Sequence, residues 1–255
     1  MSTYNDAQFL PQALNSALGQ GFSDWELLVV NDASSDDTEK ILQDYRSRDA
    51  RINFWTNPSQ KGLIANLNFA LVKAQGELVA RLDSDDSWLD TNKLQKQLDF
   101  LNRNPEYCMV GAWAEVIGQD GKKLYNFMPP GQDQDIRKEI LSHNCFVHSA
   151  ILARKKNIIE AGGYDPEQKY VEDYALWLKM GTAAKFANLP EILVQYRINS
   201  AGITQTKNIQ QISAALALVE AFKTRYPGQF KAKIKWRLQR LLSAILGPKN
   251  LVKFK

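Results

Sequence analysis

The chain has 255 residues, 44% of them apolar and 24% charged, which suits one α/β domain with room for a small appendage and a sizeable core. No run approaches the roughly 18 apolar residues of a membrane-spanning helix, and no signal peptide is expected, because the first residues lack its basic and apolar regions. The net charge of +4 is uneven. Residues 228–255 hold Lys231, Lys233, Lys235, Arg237, Arg240, Lys249, Lys253 and Lys255 and no acidic residue, leaving a mildly acidic body with no nucleic-acid motif.

Along the chain, Phe9, Ala13, Leu14, Ala17 and Leu18 recur at helical spacing. Trp25 to Val30 reads as a buried parallel strand ending in Asn31-Asp32, and Ile41, Leu42 and Tyr45 mark the next helix. Arg51 to Trp55 is predicted as a strand, Ile64 to Ala74 as a helix and Leu78 to Leu82 as another strand. Strands separated by helices of this length indicate βαβ units and a mostly parallel central sheet flanked by helices.

Further on, Thr91 to Asn102 reads as a helix, Cys108 to Ile117 as a strand with its turn at residues 119–122, and Phe146 to Ala153 as a strand. Lys156 to Ala161 is a short helix stopped by Gly162-Gly163, and Val171 to Met180 a longer one. Leu189-Pro190 and Ile192 to Arg197 are predicted as a final edge strand before a helical region. Cys108 and Cys145 lie in apolar stretches and read as buried thiols of a reducing compartment.

Two carboxylate clusters carry the chemistry. Asp83, Asp85 and Asp86 stand at the C-terminal end of an apolar strand, where ligands bind in open α/β sheets. So many like charges do not all stay ionised cheaply without a cation. Mg²⁺ or Mn²⁺, hard ions that bridge carboxylates to phosphates, would resolve that conflict. Glu172-Asp173 could supply a base. Each residue also has a plainer reading: strand end for Asp32, turn and cap for the aspartates, first-turn acids for Glu172-Asp173. Arg81 either pairs with the aspartates or contacts phosphate, and Asn66 reads as a helix surface position.

The ordered set Thr3-Tyr4-Asn5, Glu26 to Asp32, Arg81 to Asp86, Gly162-Gly163-Tyr164-Asp165, Glu172 to Leu178 and Tyr196-Arg197 resembles the family 2 glycosyltransferases over residues 3 to about 204. That resemblance implies the GT-A (Rossmann-like) fold for residues 1–204 and an inverting transfer from a nucleoside diphosphate sugar, foremost a UDP-sugar, to an acceptor hydroxyl. It places Thr3, Tyr4, Asp32, Arg81, Asp83 and Arg197 at the donor, Asp85, Asp83 and Asp86 at the metal, Asp173 as base and Glu172 beside it. His148 and Trp177 fall in regions that line the acceptor site in relatives, although a lone histidine after an apolar strand is more often structural and Trp177 also reads as a core residue. The family's setting implies the bacterial cytoplasm, a surface polysaccharide or lipopolysaccharide as product, and a saccharide or lipid-linked saccharide as acceptor. A nucleotidyltransferase and an inactive nucleotide-sugar binder are the alternatives.

Two departures stand out. Relatives carry an apolar strand of about five residues before the Thr-Tyr-Asn motif, so a truncated first strand is expected, with unpaired backbone and an uncovered apolar slot. Asn199 stands where many relatives have a metal-binding histidine.

Residues 205–255 read as a helical extension. Ile234, Leu238, Leu241, Leu242 and Ile245 share one helix face among basic residues, and Gly247-Pro248 ends the pattern. Such a helix either lies in an anionic membrane surface, which would make the protein peripheral on the inner face of the plasma membrane, or packs on the catalytic domain.

Overall fold

The computed structural model describes residues 1–199 and 206–246. Strands β1 (Ser2–Thr3), β2 (Leu27–Asn31) and β3 (Ile52–Thr56) form a parallel sheet in that order, connected through α1 (Leu10–Leu18) and α2 (Thr38–Arg48). β2 is buried along its whole length, as its unbroken apolar run demands of a parallel strand covered on both faces. β1 spans two residues and pairs with Val30 and Asn31. Met1 packs into the cluster that holds Leu10, Leu14, Val29 and Leu42.

After α3 (Leu63–Lys73) the chain enters a second sheet of β4 (Leu78–Ala80), β5 (Ser87–Trp88), β6 (Tyr107–Ile117), β7 (Lys123–Phe127), β8 (Leu152–Arg154) and β9 (Lys185–Arg197). Its order is β4-β8-β6-β9-β5, with β7 paired to β6. Parallel pairing there is confined to β6 and β9; the other pairs are antiparallel. The parallel character read from the sequence therefore belongs to the first sheet, and the second is mixed.

β9 corrects the expectation of an edge strand. It lies between β6 and β5, and it starts at Lys185, ahead of the predicted Leu189. At Leu189-Pro190 the register shifts, with Ala112 opposite Leu189 and Trp113 opposite Ile192. A proline has no N–H for the ladder, and a register irregularity is where a strand tolerates one. The strand predicted over Phe146 to Ala153 is instead a 3₁₀ turn at His148–Ala150 followed by β8.

The remaining helices are α4 (Lys93–Arg103), α5 (Asp133–Glu139), α6 (Lys155–Glu160), α7 (Glu172–Met180), α8 (Asn208–Phe222) and α9 (Gln229–Leu246). One core cluster centres on Trp177, Phe146 and Phe186, a second on the first sheet, and a smaller third joins Leu101, Val110, Leu152 and Ala187. Cys108 and Cys145 are buried free thiols. The C-terminal helices are tied to the body: Tyr226 Oη donates to the Leu178 carbonyl at 2.8 Å and Trp236 Nε1 to the Leu141 carbonyl at 2.9 Å. The side chain of Ile245 and the Gly247-Pro248 stop lie outside the described residues.

Candidate active site

The ends of β1 and β2 and the loop after β4 meet at one edge of the two sheets. Thr3 is buried, its carbonyl accepts from the Asp32 N–H at 2.9 Å, and its Oγ1 has no hydrogen-bond partner among the described residues. Tyr4 beside it is 47% exposed, an aromatic ring presented to solvent at a strand end. Asn5 adopts φ 52°, and its side-chain oxygen accepts from the Ser35 N–H at 2.8 Å, so residues 4–7 are bound to the 33–38 turn.

Asp32 anchors a loop. Its Oδ1 accepts from Lys61 N and Asn57 Nδ2, both at 2.8 Å, and its Oδ2 from Gly62 N at 2.9 Å. Burial alone would raise its pKa, but these donors outweigh it and hold the carboxyl below its ordinary range. Asn66, expected on a helix surface, is buried; its Oδ1 accepts from Asn57 and its Nδ2 donates to Ser2 Oγ. The reason is tertiary: the N-terminal turn of α3 faces this loop rather than solvent.

The acidic loop is divided by its partners. Arg81, 3% exposed, pairs with Asp83 Oδ1 and donates from Nε to His148 Nε2 at 3.1 Å. Burial opposes the charge on Asp83, but Arg81 outweighs it and holds the carboxyl below its ordinary range. Asp86 is 2% exposed; its Oδ1 accepts from Arg197 N at 2.8 Å and its Oδ2 from Ser149 Oγ. Burial, then the Asp85 charge, pushes its pKa well up. Asp86 therefore fastens the loop to β9 and to the 3₁₀ turn.

Asp85 is different. Its pKa is pushed up to about 7, first by burial, then by the Asp83 and Asp6 charges, with a hydrogen bond from Asn199 opposing. Asp6 contributes a further carboxylate, with Oδ2 accepting from Ser84 Oγ at 2.6 Å. Among the described residues no three His, Cys, Asp or Glu side chains are gathered into a ready metal cage. What is present is a pair, Asp83 and Asp85, whose mutual repulsion a hard divalent cation would relieve. Such ions are commonly held by one or two carboxylates with substrate phosphates completing the shell, so the residues fit the group.

Arg197 is mostly spent within the protein. Its Nε donates to the Asp85 carbonyl at 2.9 Å and an Nη to Gln12 Oε1 at 2.8 Å, while its guanidinium lies 4.7 Å over the Phe9 ring. His148 is likewise committed. Tyr164 Oη lies 2.9 Å from the same Nε2 that Arg81 engages, and burial first, then Arg81, pushes its pKa down to about 3. A neutral imidazole so placed positions Arg81. Trp177, expected at the acceptor site, is 0% exposed and packs on Phe146 and His148; it is a core residue, because its helix turns that face inward.

Glu172 and Asp173 form the first turn of α7. Asp173 Oδ1 accepts from Tyr174 N at 2.6 Å and Oδ2 from Asn144 Nδ2 at 2.8 Å. Burial raises its pKa to about 6 despite these donors. Glu172, 8% exposed, is raised to about 8 by burial and then by the Asp173 charge. Neighbouring carboxyls pushed apart in this way divide into a protonated partner and an ionised one near neutral pH. The turn is set from both sides. Gly162 and Gly163 adopt φ 91° and 69°, and Tyr164 is then gripped by Asn68, which donates to its carbonyl at 2.7 Å and accepts from its N–H at 3.0 Å. Tyr170 adopts φ 72°, with its carbonyl accepting from Gln211 Nε2 of α8 at 3.0 Å.

Sequence reasoning missed Ser149 and Asn144, and it reads Asp6 only as a helix cap, whereas Phe9 stands at the N-cap of the first helix without a side-chain cap and Asp6 holds Ser84. Each is a common polar residue with no local pattern, and each matters through a partner far along the chain.

The architecture is shared with solved glycosyltransferases of GT-A type. A mannosyltransferase of Pyrobaculum calidifontis, solved with GDP-Man and Mn²⁺, superposes with a TM-score of 0.69 at 16% identity, over 99% of this chain and 76% of its own. TarS 1–349 of S. aureus, solved with UDP-GlcNAc, gives 0.68 at 19% identity, over 100% and 74%. In sequence, the Escherichia coli UDP-Glc:alpha-D-GlcNAc-diphosphoundecaprenol beta-1,3-glucosyltransferase WfgD is 31% identical over 210 residues, 81% of this chain and 79% of its own. The Escherichia coli O-antigen biosynthesis glycosyltransferase WbnJ is 28% identical over 229 residues, 88% of each. Residues 1–161, more than half of the chain, match Glycosyl transferase family 2, and the protein is a glycosyltransferase that belongs to that family.

Proposed function

We propose that this enzyme is an inverting transferase that moves a sugar from a nucleoside diphosphate sugar, foremost a UDP-sugar, to a hydroxyl of a saccharide or lipid-linked saccharide. Its setting is bacterial surface-polysaccharide or lipopolysaccharide assembly at the cytoplasmic side of the membrane. Residues 1–204 form the GT-A catalytic unit and 205–255 a helical extension. The observation that carries the reading is the Glu172-Asp173 pair, one carboxyl raised to about 8 and the other to about 6, at the same edge as the Asp83-Asp85 cluster.

Thr3 Oγ1 and the Tyr4 ring receive the nucleoside, with Asp32 shaping the loop around it. Asp85 and Asp83 would hold Mg²⁺ or Mn²⁺ against the diphosphate, which supplies neutralisation of the leaving group's charge. Asp86, Arg81 and Arg197 keep those two carboxylates in place. Asp173 Oδ takes the proton from the acceptor hydroxyl as its oxygen bonds to the anomeric carbon and the sugar–phosphate bond breaks, its electron pair leaving with the nucleoside diphosphate. Glu172 stays protonated beside it at neutral pH. Names and ligands of similar proteins support the donor class: WfgD by its UDP-Glc and undecaprenol, TarS by UDP-GlcNAc and the Pyrobaculum enzyme by GDP-Man with Mn²⁺.

Calorimetry with UDP-, GDP- and dTDP-sugars, with Mn²⁺ or Mg²⁺ and then EDTA, tests this on wild type and Asp85→Ala. Binding of one donor that needs metal and is lost in Asp85→Ala is expected. With the donor known, NMR of the product reads anomeric configuration; retention would overturn the inverting mechanism.

A further inference from the structure

α9 docks on the body by the face opposite to the one its apolar pattern advertises. Ala232 is 0% exposed, Trp236 donates to Leu141, and Ser243 Oγ donates to Asn208 Oδ1 of α8 at 2.8 Å. At about 100° per residue these three fall together on one side, and Phe230, Ile234, Leu238 and Leu241 fall within an arc of about 80° on the other. Those four are 78%, 51%, 57% and 57% exposed. Scattered exposed leucines need no explanation; four aligned on one docked helix do. The stripe is flanked by exposed cations, Lys231 and Lys235 along one border and Arg237 along the other. Lys233, nearer the body, is paired with Glu220 at 2.5 Å.

We infer that the outer face of α9 is a docking surface for an anionic lipid bilayer, used while the inner face stays on the catalytic domain. The stripe would sit at the acyl boundary, and the bordering side chains would reach lipid phosphates with their stems along the apolar surface. Charge decides against a second copy of this chain, because pairing two stripes brings two sets of Lys231, Lys235 and Arg237 together without an acidic residue in 228–255 to offset them. The inference deepens the reading of a lipid-linked acceptor and is tested apart from it.

The test is co-sedimentation of the full chain with phosphatidylethanolamine vesicles carrying phosphatidylglycerol, against phosphatidylcholine alone. Binding to the anionic vesicles is expected, and Ile234→Ser with Leu238→Ser should lower the partition coefficient about tenfold or more. Lys231→Gln with Arg237→Gln should weaken it several-fold and flatten its salt dependence. Donor binding by calorimetry should be unchanged in both, which keeps failure of docking distinct from failure of the transferase reading. If the double serine variant loses donor binding, Phe230→Ser, at the most exposed of the four positions, replaces it. Equal partition of wild type and stripe variants, equal binding to neutral and anionic vesicles, or a dimer in ultracentrifugation that the stripe variant abolishes would overturn the inference.

Discussion

Asn144 donates its side-chain N–H to Asp173 Oδ2 at 2.8 Å, linking the loop before the 3₁₀ turn to the first residues of α7. The bond favours the ionised carboxyl against the burial that raises its pKa to about 6. A base must be ionised to accept a proton, so kcat/KM should rise with pH through about 6 and then level. Asn144→Leu removes a donor to the charged form and should move that limb to higher pH. A limb that stays in place in the variant would show that another group titrates.

The two carboxyls of the pair should respond unequally to loss of charge. Asp173→Asn should lower kcat by about a hundred- to ten-thousand-fold with donor affinity kept, as expected for a group that acts on the acceptor proton. Glu172→Gln replaces a carboxyl already protonated at neutral pH and should stay within about tenfold of wild type. Steady-state kinetics at pH 7 on both variants separates them; equal losses would reverse the assignment of roles.

Asp85 should cost stability when no cation is bound. Its folded pKa is raised to about 7, so the stabilising contribution of the protonated form is complete below the unfolded carboxyl range and is lost as pH rises through about 7. In EDTA, Asp85→Asn should therefore melt about 2–4 °C above wild type at pH 8, with the difference shrinking at pH 5. Added Mn²⁺ should raise the melting temperature of wild type alone. Calorimetric melts at the two pH values check both parts.

Ser149 is fully buried, donating to Asp86 and accepting from the Asp83 N–H at 3.0 Å. Ser149→Ala leaves two buried polar groups short of a partner and should lower unfolding free energy by about 1–3 kcal/mol, read by urea denaturation. A neutral effect would mean that the loop re-forms its bonds elsewhere.

Much of the site was legible because its residues are contiguous and chemically extreme. Asp83, Asp85 and Asp86 cannot be crowded at a strand end without consequence, and Glu172-Asp173 opens a helix directly. What could not be read was the division of labour within each cluster. Asp86 and Asp85 look alike in sequence, and only the Arg197 N–H and the Ser149 hydroxyl make one a fastener. Arg197 and His148 likewise read as ligand-facing residues, yet their polar atoms are engaged by Asp85, Gln12 and Arg81. In the fold, β9 was read as an edge because its partners β5 and β6 lie about a hundred residues away, and Pro190 concealed a shift in register. For α9 the periodicity was legible, but not which side of the helix would find the body.

Tyr170 stands two residues before Glu172 with φ 72°, a conformation L side chains rarely adopt, and the Gln211 amide holds its carbonyl from α8. The helices after the catalytic unit are therefore not a removable handle. A fragment ending at residue 204 would keep every acid of the site yet lose the Gln211 bond to the Tyr170 carbonyl, and its transferase activity should fall below that of the full chain.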